Sequence, residues 1–264
     1  MEGELFYRRI EMRVSVVIPA YNEAGNIGRL VEETFAETPA RLLGEIIVVD
    51  DGSDDGETGG EIRALLLKYD NLRYLSHAEK TGQSAALRTG ILAARHPIIA
   101  TMDGDGQNDP RDFSALLKQL GAADMSGVVL VGGIREQRRA SASKRFASLF
   151  ANWIRDKILK DDCPDTGCGI KVFYREPALR LPYFTSMHRF LPALFRAHGH
   201  KVAYVGVNDR PRLKGTSKYT NYGRALIGLY DLFGVSWMLK RTKIPRIEEI
   251  SATSKRSSRT SGSR

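Results

Sequence analysis

Cysteine is almost missing from this sequence: Cys163 and Cys168 are the only two in 264 residues. Two cannot build a disulfide framework, and a C-x4-C pair alone lacks the second pair a zinc site would need. A reducing compartment is the expectation. Long apolar runs are missing as well. The first twenty residues carry acids and arginines ahead of an apolar run of about five residues, which fits neither a secretory signal nor a membrane span. The most apolar late stretch, Ala225 to Leu239, is interrupted by Asp231 and falls short of the ~18–20 residues that cross a bilayer. A cytoplasmic chain without a span is therefore expected.

Acids are in deficit, with 31 Asp and Glu against 40 Lys and Arg and a formal net charge of +9. The excess is concentrated late: Lys240 to Arg264 holds eight basic and two acidic residues, a net of +6, which leaves +3 for the other 239 residues. Such a Ser/Thr-rich basic tail has too little apolar surface to offset its ordering entropy and is expected to be disordered. Anionic lipid headgroups would attract it, by ~1 kcal/mol for each Lys or Arg near the surface. No nucleic-acid motif or aromatic stacking series accompanies the charge, so nucleic acid is not an expected partner. Apolar residues at 42% and charged residues at 27% exclude collagen, coiled coil and wholesale disorder. The length suits one large domain over residues 13–239, between a short extension (1–12) and the tail (240–264).

What is present in the first hundred residues is an alternation of two periods. Val14 to Ile18 is a β-branched run closed by Pro19, Ile27, Leu30, Val31 and Phe35 recur at helical spacing, and Glu45 to Val49 is β-branched again. Ile62, Leu65, Leu66 and Tyr69 predict a second helix, Leu72 to Leu75 a strand, Ala85 to Ala94 a helix and Pro97 to Met102 a strand. This β/α alternation means a mostly parallel sheet covered on both faces, with ligands outside the carboxyl ends of its strands. Further on, the spacing predicts helices at Phe113 to Leu120, Phe146 to Leu159, His188 to His198 and Tyr222 to Leu239. Strands are expected at Val128 to Val131, Gly169 to Phe173 and Val202 to Val207.

Two of the strand ends are acidic. The second strand runs into Asp50-Asp51-Gly52-Ser53-Asp54-Asp55-Gly56, and the fourth into Asp103-Gly104-Asp105-Gly106-Gln107-Asn108-Asp109-Pro110. Asp, Gly and Asn also make turns and caps, but seven acids in two short loops at one sheet edge repel one another and call for a cation. An Asp-x-Asp pair suits a hard metal such as Mg2+ or Mn2+ that also binds substrate phosphates. An EF-hand would need glutamate at its twelfth position, and counting from Asp103 that position is Ser114. A dinucleotide-binding reading fails because no G-x-G-x-x-G follows the first strand.

These segments, VVIPAYNEAGNI, EIIVVDDGSDDGET and TMDGDGQNDP, together resemble family 2 glycosyltransferases, which implies an α/β glycosyltransferase-A (Rossmann-like) single domain around a mostly parallel sheet. TGQSAALRTG, DTGCGIKVFYR, HRFLPALF and RPRLKGTSKY resemble the branch that moves a sugar from a nucleotide onto a polyprenyl phosphate, as dolichyl-phosphate mannose synthases do. The resemblance covers about Val14 to Leu239 and implies a nucleotide-sugar half (about 13–132) and an acceptor half (about 133–239). It implies that Pro19, Ala20, Tyr21, Glu23, Asp50, Asp51, Gly82 and Gln83 hold a UDP- or GDP-sugar. Asp103, Asp105 and Gln107 are then the catalytic, metal-binding set for Mg2+ or Mn2+, with Asp103 on the sugar or ribose side.

The nucleophile decides what else is needed. A sugar hydroxyl wants a carboxylate base, whereas a phosphate monoester, with its second pKa near ~6, is already an oxyanion and needs cations. Arg135, Lys144, Arg145, Arg212, Lys214 and Lys218 are the candidates, with Ser148 and Ser217 as hydroxyl donors. Asp165 can orient the sugar or simply form a turn, and His188 and Arg189 are further candidates where processive relatives carry Gln-x-x-Arg-Trp. Inverting transfer to polyprenyl phosphate is expected, by a protein that touches the cytoplasmic membrane face or a membrane partner. The alternative is a hydroxyl acceptor in cell-envelope glycan or lipopolysaccharide assembly.

Overall fold

The computed structural model describes residues 13–122, 127–135, 155–211 and 221–243, with side chains from residue 228 in the last stretch. Its strands are Val14–Ala20 (β1), Leu43–Asp50 (β2), Leu72–Ser76 (β3), Ile98–Thr101 (β4), Val128–Arg135 (β5), Lys171–Tyr174 (β6) and Lys201–Val207 (β7). They form one sheet in the order β3-β2-β1-β4-β6-β5-β7. All neighbours are parallel except β6, which runs antiparallel to both β4 and β5. The helices are Ile27–Glu37 (α1), Thr58–Leu66 (α2), Gln83–Ala93 (α3), Phe113–Ala122 (α4), Arg175–Leu179 (α5), Leu191–Ala197 (α6) and Asn221–Arg241 (α7).

β1 is buried along its whole length and β2 everywhere except Gly44, the burial expected of parallel strands covered on both faces. The cover comes from apolar stripes such as Ile27, Leu30 and Val31 on α1 and Phe113, Leu116, Leu117 and Leu120 on α4. Phe113, Phe173 and Phe195 are fully buried, and each contributes ~1.5–3 kcal/mol by leaving water. At the edge away from the acidic loops, Glu45 accepts from the Ser15 hydroxyl, the Arg73 guanidinium and the Arg95 N–H, tying β1, β2, β3 and the start of β4 together.

Several boundaries differ from the sequence expectation. Pro19 does not close β1; the strand continues to Ala20, paired with β2. The β1 residues alternate sides, and Pro19 turns its nitrogen toward β4, whose pairing with β1 ends at Val17 and Thr101, so the missing N–H deprives no partner. The second helix ends at Leu66, and Tyr69 beyond it stacks on Phe35 with ring centroids 3.9 Å apart. The expected helix from His188 to His198 divides into a 3-10 turn, Met187–Arg189, and α6. Ser186 holds a left-handed backbone (φ 71°) before the turn, and Pro192 starts a fresh helix after it. α5, carrying Pro177, has no counterpart in the sequence reading. Of the helix expected at Phe146 to Leu159, residues 155–159 are helical and the earlier part lies outside the described residues. So do the extension 1–12 and the tail beyond residue 243.

Candidate active site

The parallel strands β1, β2 and β4 deliver their carboxyl ends to one edge, and the loops there are held by one another. Asn22, in a left-handed conformation (φ 53°), donates from its side-chain amide to Asp54 at 2.6 Å and accepts the Asp54 N–H at 3.0 Å. Its own N–H donates to the Ser53 hydroxyl at 2.9 Å. The loop after β1 is thus latched to the loop after β2. Gly52 turns with φ 71° directly against the Glu79–Lys80 backbone, where a Cβ would stand 2.7 Å from a carbonyl carbon. Lys80 in turn lies 3.9 Å over the Tyr21 ring.

Asp50 and Asp51 are both buried. Asp50 accepts from the Tyr74 hydroxyl (2.7 Å) and the Ser53 N–H (2.9 Å). Asp51 accepts from the Thr81 N–H (2.9 Å) and hydroxyl (2.7 Å), the Gly82 N–H (2.7 Å) and His77 Nδ1 (2.9 Å). Burial alone would raise the Asp51 pKa, but the donors of Thr81, His77 and Gly82 outweigh it and hold the carboxyl below its ordinary value. The work Asp51 does in this structure is to pin the Thr81–Gly82 turn, which sets the start of α3.

α3 begins with Gln83, whose amide donates to Asp103 Oδ1 at 2.7 Å. The Asp103 N–H donates to the Asn108 side chain (2.9 Å) and the Gln107 N–H to Asp105 (3.1 Å), which curls the loop after β4 on itself. The loop is also fastened across the molecule: Asn108 bridges to Asp209, and the Arg210 N–H donates to the Gln107 carbonyl at 3.0 Å. Arg210 completes the fastening by ion pairs with Glu33 (2.8 Å) and Asp109 (2.6 Å). Burial, and after it the charge of Asp105, push the Asp103 carboxyl up to about 6.

The donor set suits a hard divalent cation. Asp103 Oδ2 and the Gln107 amide oxygen accept no protein hydrogen bond among the described residues, and a cation would relieve the crowding of the two carboxylates. Among the described residues no group of three His, Cys, Asp or Glu could hold a metal by itself. Water and ligand oxygens would complete such a shell, as Mg2+ prefers.

Beside Asp103 opens a cavity of about 400 Å3, walled by the start of α3, the end of β4, residues 166–171 and the turn at 185–189. Antiparallel β6 makes this wall, because its leading residues arrive at the edge where β4 ends: Lys171 pairs with Thr101. Thr101 donates its hydroxyl to the Gly169 carbonyl (2.9 Å), and a Cβ on Gly169 would collide with the Asp103 carboxylate. Lys171 is 6% exposed and gives one N–H to the Cys168 carbonyl. His188 Nδ1 lies 2.8 Å from the Ser84 hydroxyl. Burial, then Lys171 and Arg189, lower the His188 pKa to about 3, so it is a neutral imidazole at physiological pH.

Gly82, Gln83, Asp103, His188 and Arg189, singled out from the sequence, therefore meet around one cavity, and Asp51 is bonded to Thr81 and Gly82 of its wall. Arg135 and Asp165 are engaged with each other: Nε and Nη2 of Arg135 donate to the two carboxylate oxygens at 2.7 and 2.8 Å. Lys144, Arg145, Ser148, Arg212, Lys214, Ser217 and Lys218 lie outside the described residues. Sequence reasoning missed Lys171, Ser84, Asn22 and Arg210. Only Lys171 carried a signal, as a lysine inside an otherwise apolar strand.

A family model for glycosyl transferase family 2 matches residues 15–181. The chain is 30% identical over 234 residues to the dodecaprenyl-phosphate galacturonate synthase of Rhizobium johnstonii, covering 87% of this chain and 68% of that protein. It is 30% identical over 224 residues to the undecaprenyl-phosphate 4-deoxy-4-formamido-L-arabinose transferase of Pseudomonas paraeruginosa, covering 83% and 63%. The chain thus spans about two thirds of the length of these relatives. Glucosyl-3-phosphoglycerate synthase from Mycobacterium tuberculosis, solved with Mg2+ and uridine diphosphate, has the same fold, with a TM-score of 0.62 at 21% identity over 93% of this chain and 84% of that one.

Proposed function

This chain belongs to glycosyl transferase family 2 and has the glycosyltransferase-A fold its motifs imply, and we propose that it transfers a sugar from a nucleotide diphosphate to a polyprenyl phosphate with inversion. The observation that carries this reading is the crowded Asp103–Asp105 pair, set between the latched nucleotide loops and a cavity. A bound Mg2+ or Mn2+, held by Asp103, Asp105 and Gln107, would neutralise the charge that develops on the departing diphosphate. The loops carrying Tyr21, Glu23, Asp50 and Asp51 hold the nucleotide. In one displacement an acceptor phosphate oxygen bonds to the anomeric carbon as the bond from that carbon to the nucleoside diphosphate breaks, and the bonding pair leaves with the diphosphate.

The acceptor follows from what the cavity lacks and from the relatives. Among the described residues lining it, Asp103 is the only carboxylate, and Asp165 nearby is tied to Arg135. A hydroxyl nucleophile would find no uncommitted carboxylate there, and His188, its pKa lowered to about 3 by burial, is a poor base, whereas an ionised phosphate needs none. The names of both curated relatives specify a polyprenyl phosphate, with two different sugars. Such an acceptor lies in a membrane, and α7 offers a face to one. Leu229, Tyr230, Phe233 and Trp237 are exposed on it, with Lys240 and Arg241 in its last turn. Among the described residues no helix is long and apolar enough to cross a membrane; the contact proposed for α7 is a surface one, at the cytoplasmic face.

The test is transfer from a panel of nucleotide sugars to a short polyprenyl phosphate and to the matching polyprenol, with Mg2+ or with chelator. Product on the phosphate alone, metal-dependent and of inverted anomeric configuration by NMR, is expected. Transfer to the polyprenol instead would refute the acceptor assignment.

A further inference from the structure

Lys171 has a feature the transfer chemistry does not use. It is an ammonium in a β-strand core position, at the cavity wall, 6% exposed. It has three N–H donors, and the Cys168 carbonyl takes one. Among the described residues no carboxylate forms an ion pair with it. Asp103 is close enough for the two charges to feel each other, but its free oxygen is the one available to a metal. A buried cation without a bonded anion is costly, and the neighbouring groups do not remedy this: Ser84 holds the imidazole of His188, and Arg189 adds a second positive charge to the same wall.

The cavity is therefore complementary to a small ligand that carries an anionic group. Its volume falls within the ~300–1,000 Å3 usual for small-ligand sites. Of the cations singled out for the acceptor phosphate, the described one, Arg135, is engaged with Asp165. Lys171 pairs with Thr101, two residues before Asp103, the carboxylate that the family resemblance puts on the sugar or ribose side.

We propose that Lys171 recognises a carboxylate on the donor sugar, making the protein selective for a nucleotide-linked hexuronic acid over the neutral hexose. The inference rests on the donor half of the function proposed above and is independent of its acceptor. Binding of matched pairs to the purified protein with Mg2+, measured by calorimetry without acceptor, tests it: UDP-galacturonate against UDP-galactose, UDP-glucuronate against UDP-glucose, and GDP-mannuronate against GDP-mannose. In at least one pair the uronate should bind more tightly by roughly ten- to hundredfold, the strength of one charge-assisted hydrogen bond. Lys171→Met should bring that ratio close to one, with binding of the free nucleoside diphosphate reporting that the variant is folded. Lys171→Gln should do the same. A wild type that binds no uronate more tightly than its hexose overturns the proposal, whatever the variants do. So does a Lys171→Met protein that keeps the ratio, or one that raises KM for polyprenyl phosphate while donor affinities stay the same, since the ammonium would then belong to the acceptor. Failure of transfer to polyprenyl phosphate, with the uronate preference intact, would count against the acceptor assignment alone.

Discussion

Replacing Asp103 with Asn should stabilise the metal-free protein while ending its activity. Asn is isosteric and can still accept from Gln83, so what is lost is a charge that burial and Asp105 both disfavour. The folded pKa of about 6 stands above the unfolded value of 3.8. A carboxyl raised in this way contributes stability below 3.8 that is lost as pH rises through 6, because between those values the folded state holds the extra proton. With 1.36 kcal/mol per pKa unit, ionised Asp103 costs the wild type up to about 3 kcal/mol at pH 8 and about half of that at pH 5. At ~2–4 °C per kcal/mol for a chain of this size, Asp103→Asn should melt up to ~6–12 °C above wild type at pH 8 in chelator. The gap should narrow steadily toward pH 5. Adding Mg2+ with uridine diphosphate should reverse the order, since only the wild type gains a ligand-linked term. Thermal unfolding at pH 5, 6, 7 and 8, with and without chelator, measures all of this. A variant that melts at or below wild type at pH 8 without metal, or a gap indifferent to pH, would refute the reasoning.

Asp105→Ala should reduce metal-dependent transfer at least ~100-fold, since metal charge neutralisation supplies several kcal/mol of such a barrier, while melting within a few degrees of wild type; full turnover by this variant would remove Asp105 from the metal set. Asp165→Ala should strand the half-buried Arg135 guanidinium and cost ~3–5 kcal/mol, visible as a lower denaturation midpoint, and an unchanged midpoint would mean the pair is structurally idle.

The elements legible from sequence were those whose signal is local. The β-branched runs of β1 and β2 and the stripes of α1 and α4 depend on residues within one turn or one strand. The acidic loops were legible because their composition is unlike any surface turn. The cavity was not, since its wall is made by pairings distant in sequence. In the sequence Arg135 reads as a ligand for phosphate and Asp165 as a residue that orients the sugar or forms a turn; they close a bidentate ion pair across 30 positions. His188 reads in the sequence as a contact for acceptor phosphate or sugar or as a packing residue, and that it is uncharged is visible only from its burial beside Lys171 and Arg189. The split between the turn at Met187–Arg189 and α6 depends on a left-handed Ser186, a conformation serine does not advertise.

The reversal of β6 is the feature from which the rest of the site follows. In a wholly parallel sheet every strand brings its carboxyl end to the ligand edge, and each end supplies a loop. β6 instead brings its first residues there, paired antiparallel so that Lys171 stands beside Thr101 on β4. The chain entering β6 must then pass the loop after β4 at backbone distance. That is why residue 169 is a glycine: any side chain would occupy the space of the Asp103 carboxylate. The same passage carries Cys168 and Lys171 to the cavity wall and leaves the space between β6 and the start of α3 open. Latched loops on the parallel side suit a rigid ligand such as a nucleotide. The wall on the reversed side is built from a few side chains on a strand and a turn, so a single substitution, such as one at 171, changes the charge that faces the cavity and Asp103. On the function proposed above, a division of that kind would let one fold keep its donor chemistry and vary the sugar.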